Sequence, residues 1–513
     1  MKTESINNSK KIYDLGQIKL IAAEIKKNGK TISLCHGVFD LLHPGHVQHF
    51  KEASNLTDYL FVSVTADQYV NKGPGRPLFE QQIRAETLAA LEVIDFVVIS
   101  DALTAITVIE NISPDYYVKG SDYQNSDDDI TGNIDKEQKA VEGINGKLYF
   151  TSGLTSSSSM LINKFFPTVN QSTKNWIDKF NAEYGYDSVA KYLEKVSKLN
   201  VLALGETIID QYTSCTTLAK SSKDPILAFH KLSTSCFPGG ILAIANNSGS
   251  WTNHVKVISF VAPGDPNIQA FESNKSKNIS TLFYEVNDRP TILKHRFVET
   301  GSSARVFEYY DFSDLDMPQV YSNKMIEMIN SNFANYDLIV AADYGHGFFT
   351  KEVIKSIKDS KIFMAVNTQA NAGNRGYNTI SKYTKADLIS LNGAELQLEL
   401  RNHKPDYLEI VPKLMKTMSA KFAVVTLGAE GLIVFDDQGN FEKAPALAQK
   451  LVDKVGAGDS VFAIASLLAK VNAPLPVIGF LANLVAAHEV SQLGHQKSLS
   501  NADLLKHTKS ILG

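Results

Sequence analysis

The sequence predicts two α/β domains in series, each built on a mostly parallel sheet. From Thr31 to about Phe166, short β-branched or aromatic runs alternate with helical patterns, the rhythm of strands joined by crossover helices. Over Pro167–Lys198 the character changes to polar residues broken by helically spaced Trp176, Phe180, Tyr192, Leu193 and Val196. A second strand–helix alternation then runs from Leu199 to the C-terminus. At 513 residues the chain exceeds one ordinary core, and two or three domains are the natural expectation.

The elements follow in order. Residues 1–30 read as an N-terminal extension. In the first domain, 31–166, TISLC, YLFVSV, DFVVIS and YYVKG read as strands, being short and closed by turn residues. PGHVQHFKEAS and FEQQIRAETLAALE between them read as helices. SDYQNSDDDITGN is polar and acidic, hence a surface loop. Residues 167–198 form a connecting segment with partial helix. In the second domain, 199–513, VKVISFVA, DLIVAADYG, KIFMAVN, ADLISLN, FAVVTLG and GLIVFDD are strand-like.

Composition narrows the partners. The formal net charge of −4, from 51 basic and 55 acidic residues, gives no general attraction to nucleic acid. Cys35, Cys215 and Cys236 are too scattered for a disulfide framework or a zinc knuckle. The N-terminal stretch lacks the apolar run of a signal peptide, and the apolar passage from Val461 is cut by Lys470, Pro474 and Pro476, too short to span a bilayer. A cytoplasmic setting with no membrane partner is the expectation.

CHGVFDLLHPGHVQHF, residues 35–50, crowds four of the chain's twelve histidines into sixteen positions. A buried strand leads into a turn, and Pro44 suits the first helical position. His43 and His46 then sit three apart at a helix mouth, where unpaired N–H groups and the dipole favour an anion. A zinc site needs a third ligand that no spacing supplies; surface histidines remain the plain alternative. Further along, DKVGAGDSVFAIASLLAK places Gly456, Ala457 and Gly458 before a helix, so backbone N–H groups can gather round an anion. Asp459 at that mouth can take a proton from an attacking hydroxyl, or simply cap the helix.

These residues carry two resemblances. GVFDLLHPGHVQHFKEA, NKGPGRPLFEQQIRAETLAALEVIDFVV, DYYVKGSDY and TSSSSMLINK resemble the HxGH nucleotidyltransferase superfamily, in particular heptose-1-phosphate adenylyltransferases. The resemblance implies a Rossmann-like domain in which His43 and His46 hold nucleotide phosphates. Gly37, Phe39, Lys51, Lys72, Arg84 and Ser157, Ser158 and Ser159 would contact the nucleotide, with Asp40 and Asp122 as weaker candidates. Local alternatives stay open: Lys51 as solvated charge, and Arg84 paired with Glu80 at helical spacing. TSGLTSSSS lacks the arginine of the RTxGxS-like segment in cytidylyltransferases, which favours ATP over CTP.

LGETIID, CFPGG, ADYGHG, LNGAE, VTLGAEG, GAGDSVFA and ANLVAAHEVSQLG resemble, in order, the motifs of ribokinase-like (PfkB-type) sugar kinases. That implies an α/β domain with a small β lid, and Asp459 as catalytic base beside an anion hole at Gly456–Gly458. Asn392 and Glu395 would organise Mg-ATP through water, without direct metal ligation. Thr426, Gly428 and Asn483 would lie along the nucleotide, and Asp210, Gly239 and Gly240 would face the sugar. The segment Leu282–Tyr310 would supply the lid, and pairing through it implies a homodimer or higher homo-oligomer. Two departures stand out: Ala243 replaces the heptose kinases' sugar-facing asparagine, with Asn246 and Asn247 displaced along the helix. Asn367, Thr368 and Gln369 replace their Asp-Pro-Lys, which would shift that lysine's work to Arg375.

The pairing resembles the bifunctional heptose-7-phosphate kinase/heptose-1-phosphate adenylyltransferases, with the domain order reversed. It implies phosphorylation of a sugar phosphate at its anomeric hydroxyl, then nucleotidyl transfer, with ATP and Mg²⁺. The alternatives are a CTP-dependent cytidylyltransferase joined to another sugar or polyol kinase, and a transferase regulated by a degenerate kinase domain acting as sensor.

Overall fold

The computed structural model describes residues 11–120, 133–152, 169–302, 304–313, 315, 317–374 and 376–512. The chain divides into two compact units, one of residues 1–170 with 505–513, the other of 171–504.

The first unit holds a sheet of six strands: β1 (Ile12–Tyr13), β2 (Ile32–Gly37), β3 (Tyr59–Thr65), β4 (Phe96–Ser100), β5 (Tyr116–Gly120) and β6 (Lys147–Thr151). Their order is β1-β4-β3-β2-β5-β6, and every pairing is parallel. Both faces are covered, so strand residues alternate between two cores. Leu34 and Phe61 pack with Ile18, Ala22 and Ile109, whereas Cys35 and Val62 pack with Phe50, Ala85 and Leu88. That is why these strands read as continuous apolar runs. The order in which strands are added reverses at β2, with β3 on one side and β5 on the other, and the loop after its carboxyl end lies at such a switch point. Residues 12–27 belong to this fold: Asp14 caps helix Leu15–Lys27 in a capping box, and Ile18, Ala22 and Ile25 enter the core.

The segment 171–196 forms two helices, Gln171–Glu183 and Gly185–Val196. Phe180 stacks on Phe480 with centroids 4.6 Å apart, and Trp176 donates to Glu442 at 2.6 Å.

The second unit has two sheets. Its strands, in chain order, are β7 (Asn200–Gly205), β8 (Thr207–Lys220), β9 (Leu227–Gly240), β10 (His254–Val261), β11 (Ile279–Glu285), β12 (Ile292–Glu299) and β13 (Arg305–Asp311). There follow β14 (Leu338–Asp343), β15 (Phe363–Thr368), β16 (Leu388–Asn392), β17 (Phe422–Thr426), β18 (Leu432–Asp436) and β19 (Phe441–Ala444). The large sheet runs β11-β10-β7-β14-β15-β16-β17-β18-β19 and the small one β13-β12-β8-β9. The large sheet is parallel from β11 to β17 and antiparallel at β18 and β19. All six strand-like runs expected from the sequence lie in it. The lid is wider than expected. Leu282 belongs to the large sheet, and half of the lid is the long β8–β9 hairpin, which the sequence motifs marked only at its ends.

Candidate active sites

In the first unit, the turn after β2 carries Phe39 in the left-handed region, φ 50°. Its ring lies over Gly37, where a Cβ would meet it at 3.0 Å. The ring also stands edge-on to His46, centroids 5.5 Å apart. His43 is the N-cap of helix Pro44–Ser54 in extended backbone, with Pro44 in the first turn. The His43 and His46 rings lie 3.9 Å apart, so the expected pairing is present. Burial, with smaller contributions from His43, Lys72 and His49, pushes His46 down to about 3. A neutral imidazole waits at the helix mouth. Beside it a cavity of about 620 Å³ is lined by residues including Leu42, His43, Val47 and Lys51; Lys51 is exposed at its rim. Lys72 is partly enclosed, and burial pushes its ammonium down to about 8 against the pull of Asp40.

Two candidates turn out to be scaffolding. Arg84 is 2% exposed, and its guanidinium donates to the carbonyls of Phe79, Val38 and Thr65 and to Asp67 Oδ1. Its donors are aimed at protein acceptors, and its ion pair is with Asp67, not Glu80. Asp40 bonds Arg76 at 3.2 Å, both side chains buried, and accepts from the N–H groups of Leu78 and Phe79. It fixes the 76–79 loop. Asp122 and Ser157, Ser158 and Ser159 lie outside the described residues.

In the second unit, Gly456 is the left-handed N-cap, φ 84°, of helix Ala457–Lys470, and open space surrounds Gly458. Asp459 lies in that first turn. Tyr344 Oη donates to its Oδ1 at 2.8 Å. Burial raises the Asp459 carboxyl to about 6, against His495, the Tyr344 bond and Lys294. At the junction of β8 and β9, Gly239 lies against Asp210: a Cβ there would fall on Asp210 Oδ2. Gly240, φ 56°, caps the next helix. Asp210 itself is 6% exposed and ion-paired with Arg296 from β12, so it stands as half of a neutralised pair.

Asn392 and Glu395 close a capping box on helix Gly393–Leu400. Each side chain accepts from the other's backbone N–H at 2.8 Å, and Glu395 also accepts from Ala370 N. Burial raises Glu395 to about 7. Their oxygens are engaged, and the described residues gather no cluster of three or more metal-ligating side chains. They do not fit a direct shell for Mg²⁺. Thr426 ends β17, and Gly428, φ 62°, opens onto space. Asn483 is 5% exposed; its amide donates to the carbonyls of Ala444 and Gly479. It ties a helix to a strand end and does not present that amide to a base.

The departures also acquire reasons. Ala243 is fully buried. Asn247 donates to Ser460 Oγ at 2.9 Å, while Asn246 lines a separate cavity of about 200 Å³. Asn367 donates to Ser390 O, and Thr368 is 1% exposed. After them Asn371 and Asn374 both donate to Tyr344 O, at 2.8 and 2.6 Å, and Asn378 donates to Asp343 O. This asparagine-rich segment clamps the loop that presents Tyr344. Arg375 is outside the described residues. The cation that the sequence reading missed is Lys294 of β12, 7% exposed and over the Tyr344 ring. Its charge acts on Asp459, and burial lowers its own ammonium. Asp453, 3% exposed, was also missed. It accepts from Tyr212 Oη at 2.8 Å and from Val455 N, and pairs with Arg305. Their partners are remote in sequence, and no spacing announced them.

These two units are of a nucleotidyltransferase-like and a sugar-kinase-like class, joined in one chain. Residues 198–502 match the family described as pfkB family carbohydrate kinase, and the chain belongs to that family. Residues 34–174 match a cytidylyltransferase-like family. The chain is similar to "Bifunctional protein HldE" of a Nitratiruptor species, 39% identical over 138 residues, 26% of this chain and 30% of that protein. The protein of that name from Aliarcobacter butzleri is 38% identical over 144 residues, 28% and 30% respectively. A longer match is to the Campylobacter jejuni protein of that name, 27% identical over 324 residues, 61% and 67%. The chain thus spans about 30% of the length of the first two relatives. Among the described residues no helix is long and apolar enough to cross a membrane.

Proposed function

We propose that the chain is a bifunctional enzyme of nucleotide-sugar formation. The second domain phosphorylates the anomeric hydroxyl of a heptose 7-phosphate-like sugar with Mg-ATP. The first transfers the adenylyl group of ATP to a sugar 1-phosphate, giving an ADP-heptose-like product and pyrophosphate. The single observation that carries the kinase half is Asp459, held by Tyr344 at a glycine-lined helix mouth with its carboxyl raised to about 6. A carboxylate so tuned is ionised at neutral pH and still basic enough to take the hydroxyl proton as the oxygen attacks the γ-phosphorus. ADP leaves, and the N–H groups at Gly456–Gly458 receive the charge of the transferring group. The heptose itself is supported by the family resemblance.

In the first domain, His43 and His46 would donate N–H groups to the polyphosphate, and the helix mouth would stabilise charge developing at the α-phosphorus. Lys51 and Lys72 would neutralise the phosphates. CTP is the second reading for this half, favoured by the cytidylyltransferase-like match. A cytoplasmic enzyme is the reading that suits ATP and sugar phosphates. Leu218, Leu232 and Phe307, each more than half exposed on the lid sheet, support pairing of two copies there.

Mass-resolved phosphorylation of a sugar-phosphate panel, heptose 7-phosphate included, tests the kinase half. A bisphosphate that disappears with Asp459→Asn is expected; no product from any member refutes it. Pyrophosphate release with ATP against CTP decides the nucleotide of the other half.

A further inference from the structure

Behind the Gly456 turn stands a charged pair that the proposed mechanism does not use. His495 Nδ1 lies 2.8 Å from Glu489 Oε1, with side chains 8% and 3% exposed. Glu489 belongs to helix Leu475–Glu489, and His495 follows the left-handed Gly494, φ 64°. The pair is braced from the neighbouring helix: Asn247 donates to Ser460 Oγ, and Ser460 donates to Glu489 Oε2 at 3.3 Å. One end of the imidazole is therefore held by charge pairing with Glu489, whose Oε1 also lies 3.1 Å from where a Cβ on Gly456 would sit. The other end, Nε2, is buried and has no hydrogen-bond partner among the described residues. It is aimed at the turn, because a Cβ on Gly456 would fall on it. Burying such a nitrogen with nothing to bond costs free energy, a cost a bound ligand removes.

The surrounding charges fix the ligand's sign. Glu489 faces the ring from one side, with Asp459 and Asp210 also acting on it. Burial opposes a charged ring, but the Glu489 bond and these carboxylates outweigh it and hold His495 above its ordinary value. Lys294 also acts on Asp459. The imidazole is thus an N–H donor shifted toward its charged form, lying against the Gly456 turn whose helix start offers backbone N–H groups. That combination takes an oxyanion.

We infer that His495, oriented by Glu489, is a phosphoryl-binding residue of the second domain, donating its Nε2–H to the terminal phosphate seated at the Gly456–Gly458 turn. The inference rests on the reading of that turn as the phosphate seat. It also explains how the site keeps a cation near the transferring group although Asn367, Thr368 and Gln369 contribute none.

The test is NMR of the full-length protein labelled with ¹⁵N-histidine and ¹⁵N-glycine, titrated with Mg-AMP-PNP and, separately, Mg-ADP. The His495 signal is assigned by its loss in His495→Gln. Mg-AMP-PNP should shift the Nε2 signal and the Gly456 and Gly458 amides together, and Mg-ADP should move Nε2 less than half as far. His495→Gln should raise the Kd for Mg-AMP-PNP about tenfold or more and that for Mg-ADP less than about twofold. Glu489→Gln leaves the ring in place, so it should lower the pH at which His495 titrates and weaken Mg-AMP-PNP selectively. If the glycine amides respond and Nε2 does not, or both variants lose the two nucleotides equally, the inference falls while the seat survives. If neither amides nor ring respond, the reading of the turn falls and takes the inference with it.

Discussion

Replacing Asp459 by asparagine should make the second domain more stable while destroying its chemistry. The Asp459 carboxyl is raised from 3.8 to about 6, chiefly by burial. A carboxyl held higher in the folded than in the unfolded chain binds its proton more tightly when folded. Its contribution to stability is therefore greatest below pH 3.8 and is lost as pH rises to 6. At neutral pH that loss corresponds to about 3 kcal/mol. Asparagine carries no charge to desolvate and keeps an oxygen for the Tyr344 hydroxyl. The variant should therefore unfold about 5 °C higher at pH 7.5, followed by calorimetry, with phosphoryl transfer down about 10²–10⁴-fold. The stability gap should close as the pH is lowered to 4, where wild type carries the proton itself. A variant that melts lower than wild type at pH 7.5, or a gap that widens on acidification, would refute the argument from burial.

Other outcomes follow from the same geometry. Arg84→Ala should cost the first unit about 3–5 kcal/mol by leaving Asp67 and three carbonyls without their donor, read as a lower urea midpoint; a folded variant with only a raised KM would return Arg84 to the phosphates. His46→Ala, in contrast, should leave the melting temperature unchanged and cut pyrophosphate release by about 10²-fold or more. Asn392→Ala removes a helix cap, worth about 1 kcal/mol, measured by urea denaturation. Gly239→Ala pushes the new methyl against Asp210, an overpacking cost of about 1–3 kcal/mol. It should raise the KM for the sugar phosphate while that for Mg-ATP stays near wild type.

The sequence made the two parallel sheets legible because strands buried on both faces are unbroken apolar runs, as in LIVAAD and FAVVT. It showed the two helix mouths because small residues or proline before a helix leave a local trace. The β8–β9 hairpin was not legible: Lys220, Leu227 and the polar run around Ser233 are exposed, so no core-facing alternation marks it. Arg84, Asn483 and the Asn392–Glu395 pair carry the right chemistry for ligands, and only their actual acceptors and donors reveal that they hold backbone in place. Lys294 and His495 were missed for the opposite reason. Neither lies in a motif, Lys294 merely heading the run Lys294-His295-Arg296, and it is the return of a strand for one and a bend at Gly494 for the other that brings them to Asp459 and the Gly456 turn.

Asp453 gives the lid a mechanical meaning. Tyr212 on β8 and Arg305 on β13 come from opposite sides of the lid's central strand β12, and both end on this one carboxylate, three residues before Gly456. The small sheet and the loop leading to the Gly456 turn are thereby harnessed to a single post. Displacing the small sheet would break the Tyr212 and Arg305 contacts together and so free the anchor of that loop.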